Sequence, residues 1–235
     1  TVDAAENFDK RVKAKNGRIL FRSGYRGIMN TLGVDFEEPE TEAIIYLGGI
    51  GEQNGEVTCS CSDFQFSRAE DLEPENIGEN FGPEAVSYQI TDVLVDALKG
   101  ENVSTGRSAW ARKLGQTVAS ENLTIADNAT LERGFASRSF DDEGCSSKNT
   151  MLMRKGKLES FLHNATSAST LRTRNTANAS RSPGGFETVR MIVGSGYRTK
   201  PEIYPSNLTI QPGKKTKEEL ISEVTKGVLI ESMAG

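Results

Sequence analysis

The chain has 235 residues, 36% of them hydrophobic and 26% charged, with a formal net charge of −5. That is an ordinary globular composition, long enough for one sizeable core or two modest ones. The acidic balance argues against broad affinity for a polyphosphate backbone, and no run of about eighteen apolar residues marks a membrane-spanning helix.

Residues 1 to about 15 read as a helix, with Ala5, Phe8 and Val12 near one face and Gly17 as its stop. They have neither the apolar stretch nor the charge order of a secretory signal. Extended pieces follow, GRILFRS, RGIMNTLGVDFEE, EAIIYLGGIGE and GEVTCSCSDFQFSR, separated by turn residues. Such spacing predicts an antiparallel sheet with one covering helix. The glycines Gly48, Gly49 and Gly51 are too weak a signal for a nucleotide loop. In the last piece Val57, Cys59 and Cys61 alternate with polar neighbours, which places them on the buried face of a strand. A change of phase at Phe64 and Phe66 predicts a bulge near Ser62 or Asp63. With Cys145 the cysteines number three, so they cannot all pair within one chain, and they suggest reduced, cytosolic thiols.

Residues 71–82, DLEPENIGENFG, are acidic and punctuated by Pro74, Gly78 and Gly82, the pattern of a domain boundary. A helix is expected from Pro83, with Val86, Ile90, Val93, Leu94 and Ala97 on one stripe before Gly100, and Glu84, Asp92 and Asp96 as a solvated face. A shorter helix is expected around Trp110 and Leu114. ENLTIADN reads as a strand, Phe140 to Gly144 as a turn, and TMLMRKGKLESFLH as a hairpin whose tip is Arg154-Lys155-Gly156-Lys157. Residues 172–189 are rich in Gly, Pro and Ser and read as a loop. SNLTIQPG is a further strand. Thr216 and Glu219 form a capping-box pattern that opens a helix bearing Leu220, Ile221 and Val224 and closing at Gly227, before a last strand, VLIES. The fold class expected is α+β, antiparallel or mixed sheets with a few packed helices, in two domains, 1–80 and 81–235.

Few residues suit catalysis. Asp141, Asp142 and Glu143 suit a hard cation or an acid/base pair, yet a tight turn ending in Gly144 recruits Asp for its backbone alone, with Arg138 able to neutralise the cluster. We read Arg138, Asp141, Asp142, Glu143 and Gly144 as a structural turn motif. A catalytic zinc takes about three protein ligands, His above all. His163 is the one histidine, and the helix PEAVSYQITDVLVDALKG has none. Nor does Gly194-Ser195-Gly196 match a nucleophile elbow or a phosphate loop. No catalytic or metal-ligating residue is therefore assigned. From Lys148 to Lys200, ten Lys/Arg face only Glu159 and Glu187, leaving the rest acidic by about thirteen charges. This stretch is either a solvated loop region or a docking face for an acidic peptide or partner. Six N-x-S/T sequons, at Asn102, Asn122, Asn128, Asn164, Asn178 and Asn207, keep an extracellular glycoprotein as a rival reading.

In order along the chain, NTLGVDFEE, SDFQFSRAEDL, GPEAVSYQITDVL, RSFDDEGC, RKGKLESFLHNATSAS, NTANASR, PSNLTIQPG and KEELISEVTKGVLIESMAG resemble successive phrases of the TldD/PmbA family, labelled modulators of DNA gyrase. The resemblance implies a two-subunit cytosolic zinc peptidase acting on unfolded peptides. The family's usual chain is longer at both ends, so missing terminal parts and a gap between Asn80 and Phe81 are expected. Its catalytic, TldD-like subunit carries a histidine motif where this chain reads VSYQITDVLVDAL, so the chain resembles the PmbA (TldE) side. That implies no cofactor here, zinc in a TldD-like partner, and a heterodimer; a zinc-independent homodimeric peptide-binding scaffold is the alternative. Direct contact with nucleic acid or membrane is not expected. Substrate or partner contact is expected at Arg154, Lys155, Lys157, His163, Arg172 and Arg174.

Overall fold

A computed structural model describes residues 10–57, 61–67, 94–134, 136–181 and 199–226, with 61–67 as backbone only. Outside these residues lie the start of the expected first helix, Cys59, the acidic segment 71–82, most of the helix from Pro83, Gly194–Gly196 and the final strand. Contacts divide the chain into one unit of residues 1–27, 37–83 and 133–135, and a second of 28–36, 84–132 and 136–235. The fold is α+β, as the sequence predicts.

The first unit is built on two long strands, β1 (Val12–Met29) and β2 (Asp35–Gln53). Strands β3 (Glu56–Val57) and β4 (Cys61–Ser67) pair with β2 at different points along it. The reason is visible in β2, where Ala43, Ile44, Ile45 and Leu47 are all buried, as expected of a central strand covered on both faces. Val12 and Ala14 of β1 pack on Ile45 and Leu47. Close strand packing also explains the glycines of β2: a Cβ on Gly49 would sit 3.0 Å from the Lys13 carbonyl oxygen.

Several expectations need correction here. Residues 12–15 are strand, not helix, and β1 runs through Gly17, Ser23 and Gly24 without a turn. Hydrogen bonding along β2 overrides the local helical spacing of Phe8 and Val12. No bulge occurs at Ser62 or Asp63: β2 and β4 pair continuously from Ala43↔Ser67 to Gly49↔Cys61. Val57 is 58% exposed, so the proposed buried face does not reach it.

In the second unit a four-stranded sheet has the order β10-β5-β6-β7. Its strands are β5 (Ile125–Asn128), β6 (Asn149–Arg154), β7 (Lys157–Leu158) and β10 (Leu208–Ile210). The β6–β7 turn forms as the sequence predicts, because Lys155 and Gly156 both take positive φ, 46° and 74°. Gly156 is required twice over, since a Cβ there would also meet the Ala119 and Ser120 carbonyl oxygens. A bulge lies instead in β5, between Ile125 and Ala126. Leu98, Ile125, Leu152, Met153, Leu158, Phe161, Leu162 and Ile203 form the core. Each such side chain contributes about 1.5–3 kcal/mol when fully buried.

Helices α1 (Val95–Leu98) and α2 (Gly100–Ser104) are separated by extended Lys99. In α1 the buried residues are Val95 and Leu98, whereas Leu94 and Ala97 are only half-buried, so the buried stripe differs from the expected one. Asp96 is solvated and pairs with Lys99 at 2.8 Å. No helix forms at Trp110 and Leu114; turns carry Trp110 onto the core and leave Leu114 56% exposed. Helix α3 (Ala165–Leu171) is not among the elements expected from sequence, and neither is the short pair of β8 (Ala179–Ser180), inside the expected loop 172–189, with β9 (Glu202–Ile203), beyond it. Helix α4 (Lys217–Ser222) has the Thr216–Glu219 capping box but stops at Ser222, short of Gly227. None of the described helices is long and apolar enough to cross a membrane.

Candidate functional site

Residues 136–181, which hold the Asp-Asp-Glu turn and the start of the basic stretch 148–200, have an inward side, built with strand β5, and an outward side. The inward side starts from strand β5, which places Asp127 at 2% exposure among apolar neighbours. A carboxylate there is costly unless every lone pair is used. Asp127 Oδ2 accepts from Asn178 Nδ2 at 2.6 Å, and Oδ1 accepts from the Ser206 amide at 2.7 Å and its hydroxyl at 3.0 Å. Burial still pushes the Asp127 carboxyl above the usual carboxylate range, against the lowering effect of Asn178, Ser206 and Arg138.

From Asn178 the network continues to the histidine. Thr176 Oγ1 donates to Asn178 Oδ1 at 2.7 Å and accepts from the His163 amide at 2.6 Å. His163 is 4% exposed, and its Nδ1 lies 3.1 Å from Ser167 Oγ. Burial lowers its pKa to about 4, so the ring is neutral near neutral pH. The backbone of Gly100 closes over this ring, and its amide donates to the Leu162 carbonyl at 2.8 Å. Asn164 caps α3, accepting from the Ser167 amide at 2.9 Å.

All three acids of the Asp-Asp-Glu turn accept backbone N–H groups. Asp141, fully buried, accepts from Glu143 and Cys145 through Oδ1 and from Ala179 through Oδ2, at 2.9–3.0 Å. Asp142 accepts from the Arg181 amide and Glu143 from the Ala165 amide, both at 2.7 Å. Gly144 turns with φ 81°, and Arg138 donates to the Ala177 carbonyl. The Cys145 thiol accepts from Asn175 Nδ2, and burial pushes its pKa up. Among the described residues no three His, Cys, Asp or Glu side chains converge as a metal group.

The outward side is cationic. An open cleft of 740 Å³ is lined by Lys148, Thr150, Ser160, Arg172, Arg174 and Thr176, together with Asn149 and Thr173. Of the residues expected to make contacts, the structure brings Arg172 and Arg174 together here. Arg154, Lys155 and Lys157 are exposed at the β6–β7 turn and are not part of the cleft lining; Arg154 pairs with Glu159 at 3.0 Å. His163 lies beneath the surface, so a direct contact through its ring is corrected to a structural position: the capping helix and Gly100 enclose it. Sequence reasoning missed Asp127 and Asn178 as a buried pair; Lys148 opens the basic stretch it singled out but is not among the six residues expected to make contacts. An Asp flanked by Ala and Asn inside the strand phrase TIADN was the available signal for the first.

Three of the sequon asparagines use their amide nitrogens internally: Asn102 toward the Asp96 carbonyl, Asn178 toward Asp127 and Asn207 toward the Asn128 carbonyl. Asn164 is 5% exposed. Asn164 and Asn178 are thus buried in the folded chain and do not present their amides to a glycan.

A family model described as the PmbA/TldA metallopeptidase C-terminal domain matches residues 80–235. A metalloprotease of Methanocaldococcus jannaschii is 26% identical over 259 residues, covering all of this chain and 54% of the relative. The crystal structure of TldE from Thermococcus kodakarensis superposes with TM-score 0.76 at 24% identity, covering 95% of this chain and 52% of that one, which establishes the shared fold. A Thermotoga maritima protein described as a candidate modulator of a DNA gyrase superposes at 0.70 with 27% identity, over 94% and 52% of the two chains. The chain thus spans about half the length of these relatives.

Proposed function

This chain belongs to the PmbA/TldD metallopeptidase family, and from that premise we propose that it is the PmbA (TldE)-like subunit of a cytosolic heterodimeric peptidase, whose TldD-like partner holds the zinc. The chain's role is then to bind and present an unfolded peptide. One observation carries this reading: the only histidine is buried, neutral and enclosed by Gly100 and α3, with Nδ1 beside Ser167. The other candidate ligands among the described residues do not fit a zinc centre either. Asp127, Asp141, Asp142 and Glu143 accept hydrogen bonds from the protein, and the Cys145 thiol is held protonated near neutral pH by burial. A catalytic zinc needs about three such ligands and one open position. We derive no catalytic step through a metal on this chain.

The test is to express the full-length protein alone and with a family member that bears the histidine motif. Alone, it is expected to hold far less than one zinc per chain and to leave an unfolded peptide intact. Together, the two should co-purify, with zinc and chelator-sensitive peptidase activity assigned to the partner. One zinc per chain in the protein alone, with peptidase activity lost on chelation, overturns the reading.

A further inference from the structure

We propose that the cleft between β6 and the residues following α3 is a carboxylate-binding subsite for an unfolded peptide, with Arg172 and Arg174 as its guanidinium anchors and Lys148 beside them. This rests on the reading of the chain as a peptide-presenting subunit and names the chemistry by which it would hold its substrate.

The cleft volume of 740 Å³ lies inside the range of roughly 300–1,000 Å³ found for ligand sites. Its lining contains three cations and no carboxylate. Arg172 and Arg174 are exposed, and neither guanidinium has an ion pair or hydrogen bond with another described residue. The turn acids Asp141, Asp142 and Glu143 accept from the backbone at Ala179, Arg181 and Ala165, and none of them lines the cleft. By contrast, Arg154 at the neighbouring hairpin turn already has Glu159.

Arg172 is the C-cap of α3, in the left-handed region with φ 52° and ψ 45°. The cleft is also built on fixed parts. Thr176 is tied to Asn178 and His163, and Lys148 Nζ donates to the Asn175 carbonyl. A guanidinium group favours planar oxyanions that accept two parallel N–H bonds, and a carboxylate is the anion that every unmodified peptide carries. The overall charge of −5 disfavours a nucleic acid as the occupant.

The experiment measures fluorescence anisotropy of labelled, unstructured peptides with the full-length protein at low salt. Three peptides are compared: one with a free C-terminal carboxylate, its C-terminal amide, and the amide form with internal glutamates. R172Q/R174Q is expected to weaken binding of the carboxylate-bearing peptides by about tenfold or more. K148Q should weaken it less, and R154Q should leave it unchanged. Loss of binding on amidation assigns the terminal carboxylate, and recovery with internal glutamates assigns acidic side chains; both uphold the subsite. Equal affinity of R172Q/R174Q and the unsubstituted protein overturns it, as does an equal loss in R154Q. Displacement by inorganic phosphate but not by acetate at matched ionic strength also overturns the carboxylate assignment. Binding that depends on Arg172 and Arg174 when no zinc-bearing partner co-purifies upholds the subsite and overturns the heterodimer, so the two failures are separable.

Discussion

Two sides of one sequence block use charge in opposite ways. Inward, Asp127, Asp141 and Asn178 are at or near zero exposure and find their partners within the protein. Outward, Arg172 and Arg174 are exposed without a described partner beside a cleft. Residue type alone does not separate the two groups, since acids and a histidine look more catalytic than arginines in a loop. What separates them is whether the folded chain already satisfies the group. A satisfied group is a structural element, while an unsatisfied exposed cation retains its capacity to bind.

The sharpest test of the inward side is Asp127→Ala. It would strip the acceptor from Asn178 Nδ2 and from the amide and hydroxyl of Ser206. Ser206 is half-buried and Asn178 Nδ2 keeps the Tyr204 carbonyl, so at about 1–3 kcal/mol per buried donor left unpaired, urea unfolding should show a loss of roughly 2–3 kcal/mol. A loss below about 1 kcal/mol would remove the contrast between the sides. Gly100→Ala comes next: its Cβ would press on the His163 ring and on the Leu162 carbonyl oxygen at 2.9 Å. About 2 kcal/mol of destabilisation is expected from overpacking, read by the same unfolding curve.

The same packing predicts a pH dependence. The His163 pKa falls from 6.5 to about 4 on folding, so between these values the unfolded state binds the extra proton. Its contribution to stability is complete above pH 6.5 and is lost as pH falls toward 4. Replacing His163 by Asn should flatten the thermal-stability profile in that window; an unchanged profile would show that His163 does not titrate this way. Asn164→Ala, which removes the α3 cap, should cost about 1 kcal/mol. The smallest effect belongs to the outward side: R172Q/R174Q should shift stability by less than about 0.5 kcal/mol while changing peptide binding. A larger loss of stability would move those arginines into the structural group.

Much of the second unit was legible locally. The hairpin at Lys155-Gly156 and the Thr216–Glu219 cap rest on interactions within a few residues of sequence, and the strands TIADN and NLTI were marked by their residue types although they pair with each other from distant parts of the chain. Errors arose where distant partners decide. Residues 12–15 have helical spacing but join β2, and β1 passes Ser23-Gly24 because its partner strand continues. Helix α3 was missed although Asn164 and Ser167 announce its cap, since the run ATSASTL has little amphipathic pattern. The cleft was half legible: Lys148, Arg172 and Arg174 stood out in a basic stretch, but only the fold brings Lys148, just before β6, to the same cleft as the two arginines that follow α3.

By itself the sequence determined the family, through ordered phrases along the chain, and the scarcity of histidine, because both are properties of residue identity and order. Only the tertiary structure decided which charges are already satisfied. Asp127 meets Asn178 and Ser206 across 51 and 79 residues, and Asp141 meets Ala179 across 38. Such separations leave no periodic signal in the chain, yet they determine whether a polar side chain is held within the fold or remains available to a ligand.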